Sequence, residues 1–319
     1  MSDYIVLDLE WNQALKGREL KDMPFEIIEI GAVRLDENKN ETDSFDMLIH
    51  PREYKTMHYL NAKIVNITTQ ELADKPDFKT VYREFIKWLG KSRDYIFCTW
   101  GDMDLTELQR NIRHFKCREL SDGPIRFLDI QKLYAIHKGD VKVRTSLETA
   151  VDELGLKQKY PFHRAINDVR YTADVFKRIA DPALEKKVSY NLFHTPKDKE
   201  SEIYAYFDTY SKYVSRSFKG KTALHGRPEV WCTDCYICKK KTVKKIDWFT
   251  SNNGKTYLSL AECPEHGLLR SVVRIKKAEI KGIYAIRITH SASEEDIEQM
   301  MEKYNKVKNV QKSNLSNSE

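Results

Sequence analysis

The chain opens on an apolar run that ends in acid. Tyr4-Ile5-Val6-Leu7 leads into Asp8-Leu9-Glu10-Trp11-Asn12, a buried-strand pattern until two carboxylates arrive two positions apart. In an extended strand, residues i and i+2 face the same way, roughly 7 Å apart. Asp8 and Glu10 are therefore predicted side by side at the end of a core strand. Carboxylates held that close repel unless a cation sits between them. A divalent metal meets the need; two solvated acids on an exposed edge strand are the alternative this stretch alone leaves open.

The pattern continues with Phe25 to Leu35 as a second strand, a polar turn over Asp36 to Glu41, and a third strand from Ser44 to His50, stopped by Pro51. Helical spacing then takes over. Phe78, Val81, Phe85 and Trp88 form one stripe, and Leu105, Leu108, Ile112 and Phe115 another. Short apolar strands over Asp94–Trp100 and Ile125–Asp129 alternate with them. Ser146 to Leu154 reads as a further helix. A last helix carries Ile166, Val169, Ala173, Phe176 and Ile179 on one face, with Asp168 off that face and His163 at its entrance. Strands first, then strand–helix alternation, predict a mixed sheet flanked by helices.

Beyond residue 183 the pattern loosens. Ile203, Tyr206, Tyr210, Tyr213 and Val214 are spaced as an amphipathic helix, with Lys212, Arg216, Lys219 and Lys221 around it. Residues 184–225 are therefore predicted to be a helical, Tyr-rich basic connector. Interleaved rings and cations suit single-stranded nucleic acid, although a tyrosine stripe also suits packing. Ile246–Phe249 and Tyr257–Leu260 read as strands of a hairpin turning at Ser251-Asn252-Asn253-Gly254. Ser293 and Asp296 can cap a final helix bearing Ile297, Met300, Met301 and Tyr304. The polar end of the chain reads as a disordered tail.

Composition adds two facts. The 319 residues carry a net charge of +6, but residues 1–185 balance at −3 and the remainder at +9. A basic second part points to an anionic partner. No apolar run approaches a membrane span and no secretory leader is legible, so a cytoplasmic protein is expected, with no membrane partner. Four of the six cysteines crowd into Cys232-Thr233-Asp234-Cys235-Tyr236-Ile237-Cys238 and Cys263-Pro264-Glu265-His266. Two knuckles separated by a hairpin predict a structural Zn²⁺, with thiolates and imidazole as ligands and the metal replacing a core too small to stand alone. Cys235, Cys238, Cys263 and His266 give matching spacings and are the preferred set, with Cys232 in reserve.

Asp8-x-Glu10, an acid after Trp100-Gly101, and His163 followed by Asp168 resemble the DEDDh class of DnaQ-like 3'–5' exonucleases. Within that class the chain is most similar to the exoribonuclease subgroup typified by Eri and KapD. Supporting stretches are Glu26–Gly31, Phe127–Gln131, Ser146–Glu148 and His163–Asp168. The resemblance covers about residues 3–183 and implies an α/β, RNase H-like five-stranded mixed sheet with flanking helices over 1–183. A small β-rich zinc-ribbon domain is expected at 226–290, and a C-terminal helix and tail at 291–319. It further implies two Mg²⁺ or Mn²⁺ ions: Asp8 bridging both, Glu10 and Asp168 on one, Asp104 supporting the other. Asp102 competes with Asp104, but Asp104-Leu105 matches the family pattern better. His163 is the implied general base. Leu9 and Trp11 are candidates for packing a terminal sugar or base, with core packing the alternative for both and the stronger one for Leu9.

Four hard-oxygen ligands suit magnesium or manganese rather than zinc, and paired ions suit phosphodiester hydrolysis. The expected activity is trimming of single-stranded RNA or DNA from a free 3' end, RNA favoured. Lys239, Lys240, Lys241, Lys244, Lys245, Arg270, Arg274, Lys276 and Lys277 would hold the substrate. A non-catalytic nucleic-acid-binding or scaffolding protein retaining the fold is the alternative. The ribbon could instead dock a ribosome or protein partner.

Overall fold

The computed structural model describes residues 3–59, 61–65, 67–90, 94–140 and 143–316, with side chains through residue 309. Two compact units result, Met1–Asn191 and Leu192–Glu319. The first holds β1 (Asp3–Gln13), β2 (Phe25–Leu35), β3 (Glu41–Leu48), α1 (Asn61–Ile64), α2 (Thr69–Leu72), α3 (Phe78–Leu89), β4 (Tyr95–Thr99) and α4 (Met103–His114). It continues through β5 (Ile125–Asp129), α5 (Ile130–His137), α6 (Leu147–Glu153), α7 (Ala165–Arg178), α8 (Pro182–Glu185) and β6 (Ser189–Asn191).

Its sheet runs β3-β2-β1-β4-β5-β6. β1 pairs antiparallel with β2 and parallel with β4, so the strand carrying the acids lies inside the sheet. Strand alternation divides its residues between two cores. Ile5, Leu7 and Leu9 join Phe85, Leu105 and Leu108 on the side of α3 and α4. Val6 joins Leu128, Val169 and Phe176 on the side of α5 and α7. Asp8 and Glu10 continue the even-numbered series and thus share the α7 side of the strand. The sheet has six strands, not the expected five. Residues 189–191 add an antiparallel edge strand against β5, a pairing too short to leave a sequence pattern.

The second unit holds β7 (Ile203–Tyr206), β8 (Tyr210–Val214), α9 (Lys221–His225), β9 (Val243–Thr250), β10 (Thr256–Cys263), β11 (Gly267–Lys277), β12 (Ile283–Ser291) and α10 (Glu294–Ser316). Its strands form one antiparallel sheet in the order β7-β8-β12-β11-β10-β9. The predicted helical connector is therefore a correction: residues 203–214 are a hairpin, closed by Phe207 N–H donating to the Tyr210 carbonyl. Spacings of three and four fit a helix, but Tyr204↔Tyr213 and Tyr206↔Ser211 are cross-strand pairs. Tyr213 is buried at 2% exposure and its hydroxyl donates to buried Glu202, which also binds Arg216. The Tyr213 ring is packing, not a stacking surface.

The small ribbon expected at 226–290 is accordingly part of a larger sheet that begins before residue 226. α10 lays Met300, Ile297, Tyr304 and Val307 on Ile246, Phe249, Leu258 and Leu260. It runs through Ser316, across most of the stretch expected to be a disordered tail; residues 317–319 lie outside the described residues. No described helix is long and apolar enough to cross a membrane.

Candidate active site

Three elements bring the predicted acids together. Asp8 and Glu10 come from β1. Asp168 comes from the first turn of α7, held against the sheet by Gly31, the cross-strand partner of Asp8. A Cβ on Gly31 would lie 2.4 Å from the Ala165 carbonyl carbon, so only glycine lets the helix start this close. Ligand oxygens of Asp8, Glu10 and Asp168 all lie within 4.8 Å of one another. Asp104, in the first turn of α4, is buried beside them at 5% exposure, and the Leu9 backbone N–H near it favours its ionised form. Asp102 is exposed and caps nothing with its side chain.

Electrostatics report the crowding. Burial, then the charge of Asp104, and then those of Glu10 and Asp168, hold Asp8 far above the ordinary carboxylate range. Burial and Asp168 raise Glu10 to about 8, with Arg164 pulling the other way. Asp104 and Asp168 are each raised to about 7, burial being the larger cause in both. Asp168 Oδ1 is buried without a hydrogen-bond partner. An unpartnered acceptor among mutually repelling carboxylates costs free energy unless a cation is present. The donor set, all carboxylate oxygen, fits Mg²⁺ or Mn²⁺.

His163 is exposed and has φ +66°, a left-handed backbone that side chains other than glycine adopt at a cost. Its N–H donates to Asp168 Oδ2 at 3.2 Å, so the strained residue is tied by its backbone to the acid. Trp11 is half-buried, its ring 5.5 Å from that of Phe25. Leu9 requires a correction. It is 3% exposed within the α3–α4 core, because alternation sends it to the opposite side of β1 from the acids. It presents no surface to a sugar and contributes its backbone N–H instead.

Several buried polar residues around the acids had no role assigned from sequence. Glu29, fully buried, sits across the ladder from Glu10 at a bulge that leaves Ile28 unpaired. Its carboxylate accepts from Arg164 Nε and Nη2 at 3.1 and 2.9 Å and from the Ala165 N–H at 2.9 Å. It thereby caps α7, whose N-cap residue Arg164 supplies no side-chain cap of its own. Glu26 accepts the N–H groups of Arg52, Glu53 and Tyr54. Asn12 donates to the carbonyls of Tyr54 and Thr56 and accepts from the His58 N–H. These two residues pin the segment after β3 to the ends of β1 and β2. The available signal was a charged or amide residue inside an otherwise apolar strand, as in Glu26-Ile27-Ile28-Glu29.

In the second unit, Cys235, Cys238, Cys263 and His266 form one cluster. Cys238 Sγ and Cys263 Sγ are 3.7 Å apart, and His266 Nδ1 is 3.6 Å from Cys263 Sγ and 3.7 Å from Cys235 Sγ. Zinc bonds of about 2.3 Å to sulfur and 2.0 Å to nitrogen, set tetrahedrally, require edges of about 3.5–3.8 Å. The cluster fits. Burial raises the Cys263 thiol, but hydrogen bonds from Glu265 and His266 outweigh it and bring it to about 6, which suits a thiolate ligand. Cys232 is outside the cluster, its sulfur accepting from the Asp234 N–H.

The inner strand of the mixed sheet and a flanking helix thus converge three carboxylates, a donor set suited to a divalent metal. The family follows from sequence comparison: the RNase_T profile, described as Exonuclease, matches residues 5–176, and the chain belongs to that family. PolC-type DNA polymerase III of Thermotoga petrophila, and that of Thermotoga maritima, are each 30% identical over 183 residues, covering 56% of this chain and 12% of the relative. The chain thus spans about an eighth of the length of the curated relatives it matches. Among solved structures, the nuclease domain of 3'hExo, described as a DEDDh family member bound to rAMP, aligns at TM-score 0.49 and 18% identity, over 56% of this chain and 91% of that one. Exonuclease I aligns at 0.49 and 14%, over 86% and 55%.

Proposed function

We propose that the chain is a divalent-metal-dependent 3'–5' exonuclease of DEDDh type acting on single-stranded nucleic acid, RNA in preference to DNA. The observation that carries this reading is the convergence of Asp8, Glu10 and Asp168 within 4.8 Å, with an orphaned oxygen on Asp168. Asp8, Glu10 and Asp168 would hold a pair of Mg²⁺ or Mn²⁺ ions, with Asp104 supporting one of them. Ions bound there would supply an activated water and neutralise charge developing at phosphorus.

The chain's own residues do the rest. Glu29 and Arg164 fix the start of α7 and so the position of Asp168. His163, five residues ahead, accepts the proton of the attacking water. Trp11 is the candidate surface for the terminal nucleotide. Cys235, Cys238, Cys263 and His266 would hold a structural Zn²⁺ at the end of the second sheet.

Digestion of 5'-labelled and 3'-labelled RNA and DNA strands tests the reading. Stepwise shortening of the 5'-labelled strand with Mg²⁺ or Mn²⁺, faster on RNA and abolished by chelator, is expected. Internal cuts, or shortening that persists in chelator, would overturn it. His163→Ala is expected to lower turnover by about 100-fold or more with little change in substrate binding.

A further inference from the structure

The second unit carries most of the chain's excess positive charge, and the structure divides those cations between two ends of one sheet. At the end that holds the cysteine cluster, four of them are paired with carboxylates. Lys240 pairs with Glu265, Lys244 with Asp247 at 2.8 Å, Lys245 with Glu262 at 2.5 Å, and Arg270 with Asp296 at 2.7 Å. The other end gathers the β9–β10 turn, the β11–β12 turn and the segment after β8. The Phe218–Ile283 bridge, the Ile275 N–H bonded to the Lys255 carbonyl and Lys221 Nζ bonded to the Asn253 carbonyl at 2.8 Å hold them together.

Seven cations stand at that end: Lys219, Lys221, Lys255, Arg274, Lys276, Lys277 and Lys281, all exposed. None is within ion-pair distance of a carboxylate among the described residues, and Glu279 is the one acid in these three segments. Rings adjoin them. Tyr257, half-exposed, hydrogen-bonds His225 at 3.1 Å, and His225 stacks on Trp231 at 4.8 Å and 6°. The Tyr257 hydroxyl and Lys221 Nζ both lie against Gly254, within 2.9 Å of where its Cβ would be.

Unneutralised cations repel one another, and an anionic polymer relieves that repulsion while releasing its own counterions. Turns bearing cations beside aromatic rings suit a single strand, which offers phosphates and unstacked bases together. We infer that this end of the second sheet is a binding surface for single-stranded nucleic acid, separate from the carboxylate site. The lysine-rich stretch at the cysteine end, which the sequence marks more strongly, contributes little to it. The inference rests on the proposed nucleic-acid substrate; its test reads binding alone, whereas the proposed activity is read by digestion.

The test is fluorescence anisotropy of a labelled 20-nucleotide RNA on the full chain carrying Asp8→Asn, without chelator. Combined Lys219→Glu, Lys221→Glu and Lys255→Glu should weaken binding at least 10-fold and flatten the plot of log affinity against log salt by about 0.7 per lost phosphate contact. Lys276→Gln with Lys277→Gln, a milder pair, should shift both in the same direction. Lys244→Glu with Lys245→Glu should change affinity less than twofold. Equal loss from both ends, or no loss from the first two variants, would overturn the inference.

Discussion

Glu29 faces Glu10 across the β1–β2 ladder and holds Arg164, the residue between His163 and α7. One buried carboxylate thus ties the strand bearing two of the acids to the helix bearing the third. Removing Arg164 would leave Glu29 buried and half-satisfied. Arg164→Ala is expected to destabilise the chain by about 2 kcal/mol, below the range for fully buried pairs because the guanidinium is partly exposed. Turnover should fall more than substrate affinity. Denaturant unfolding and steady-state kinetics on the same preparation check both.

The clustered acids make a prediction about metal-free protein. Glu10, Asp104 and Asp168 are raised in the folded state, to about 8, 7 and 7, so the folded chain binds protons more tightly than the unfolded one. Their contribution to stability is present below pH 4 and is lost as pH rises through 7 to 8. Metal-free Tm should therefore fall between pH 5 and pH 8, and Mg²⁺ or Mn²⁺ should restore it at pH 8. Asp168→Asn removes one repelling charge that is ionised at pH 8. At pH 8 without metal it should melt higher than the unaltered chain, while losing turnover at least 100-fold.

Gly31 tests the helix–sheet approach. Gly31→Ala places a methyl inside contact distance of the Ala165 backbone, and backbone cannot rotate away as a side chain can. A cost of about 3 kcal/mol is expected, with activity lost because α7 carries Asp168. Thermal melting and digestion on one sample check it. Native stability with full activity would show that the helix start is freer than this contact implies.

The cysteine cluster predicts one zinc per chain. Cys263→Ser should abolish zinc binding and loosen the second sheet, seen as lost protection of β10 and β11 amides from exchange. Cys232→Ser should leave metal content at one. Elemental analysis and hydrogen exchange read the two outcomes.

How much was legible depended on the physics behind each pattern. β1, the α7 stripe and the paired knuckles each impose a spacing that survives without neighbours, so Asp8, Glu10, Asp168 and the cysteines could be marked in the sequence. The 203–214 hairpin carries a helical spacing in the sequence, because cross-strand pairs such as Tyr204 and Tyr213 leave no trace in one strand's period. Leu9 lies between two acids, a position that leaves both sugar contact and core packing open in the sequence, and alternation assigns it to the core. Glu29 and Arg164 are 135 residues apart, and nothing local to either names the other. Ion pairing likewise hides in sequence: Lys244 and Lys245 look as free as Lys276 and Lys277 until Asp247 and Glu262 are placed beside them.

The most direct measurement is a Mn²⁺ titration of metal-stripped, zinc-replete protein, with and without a non-hydrolysable single-stranded oligonucleotide, followed by calorimetry. Two ions per chain in the presence of the oligonucleotide, reduced to one or none by Asp8→Asn, is the predicted result. Binding that survives unchanged in Asp8→Asn would contradict the claim that these carboxylates form the metal site.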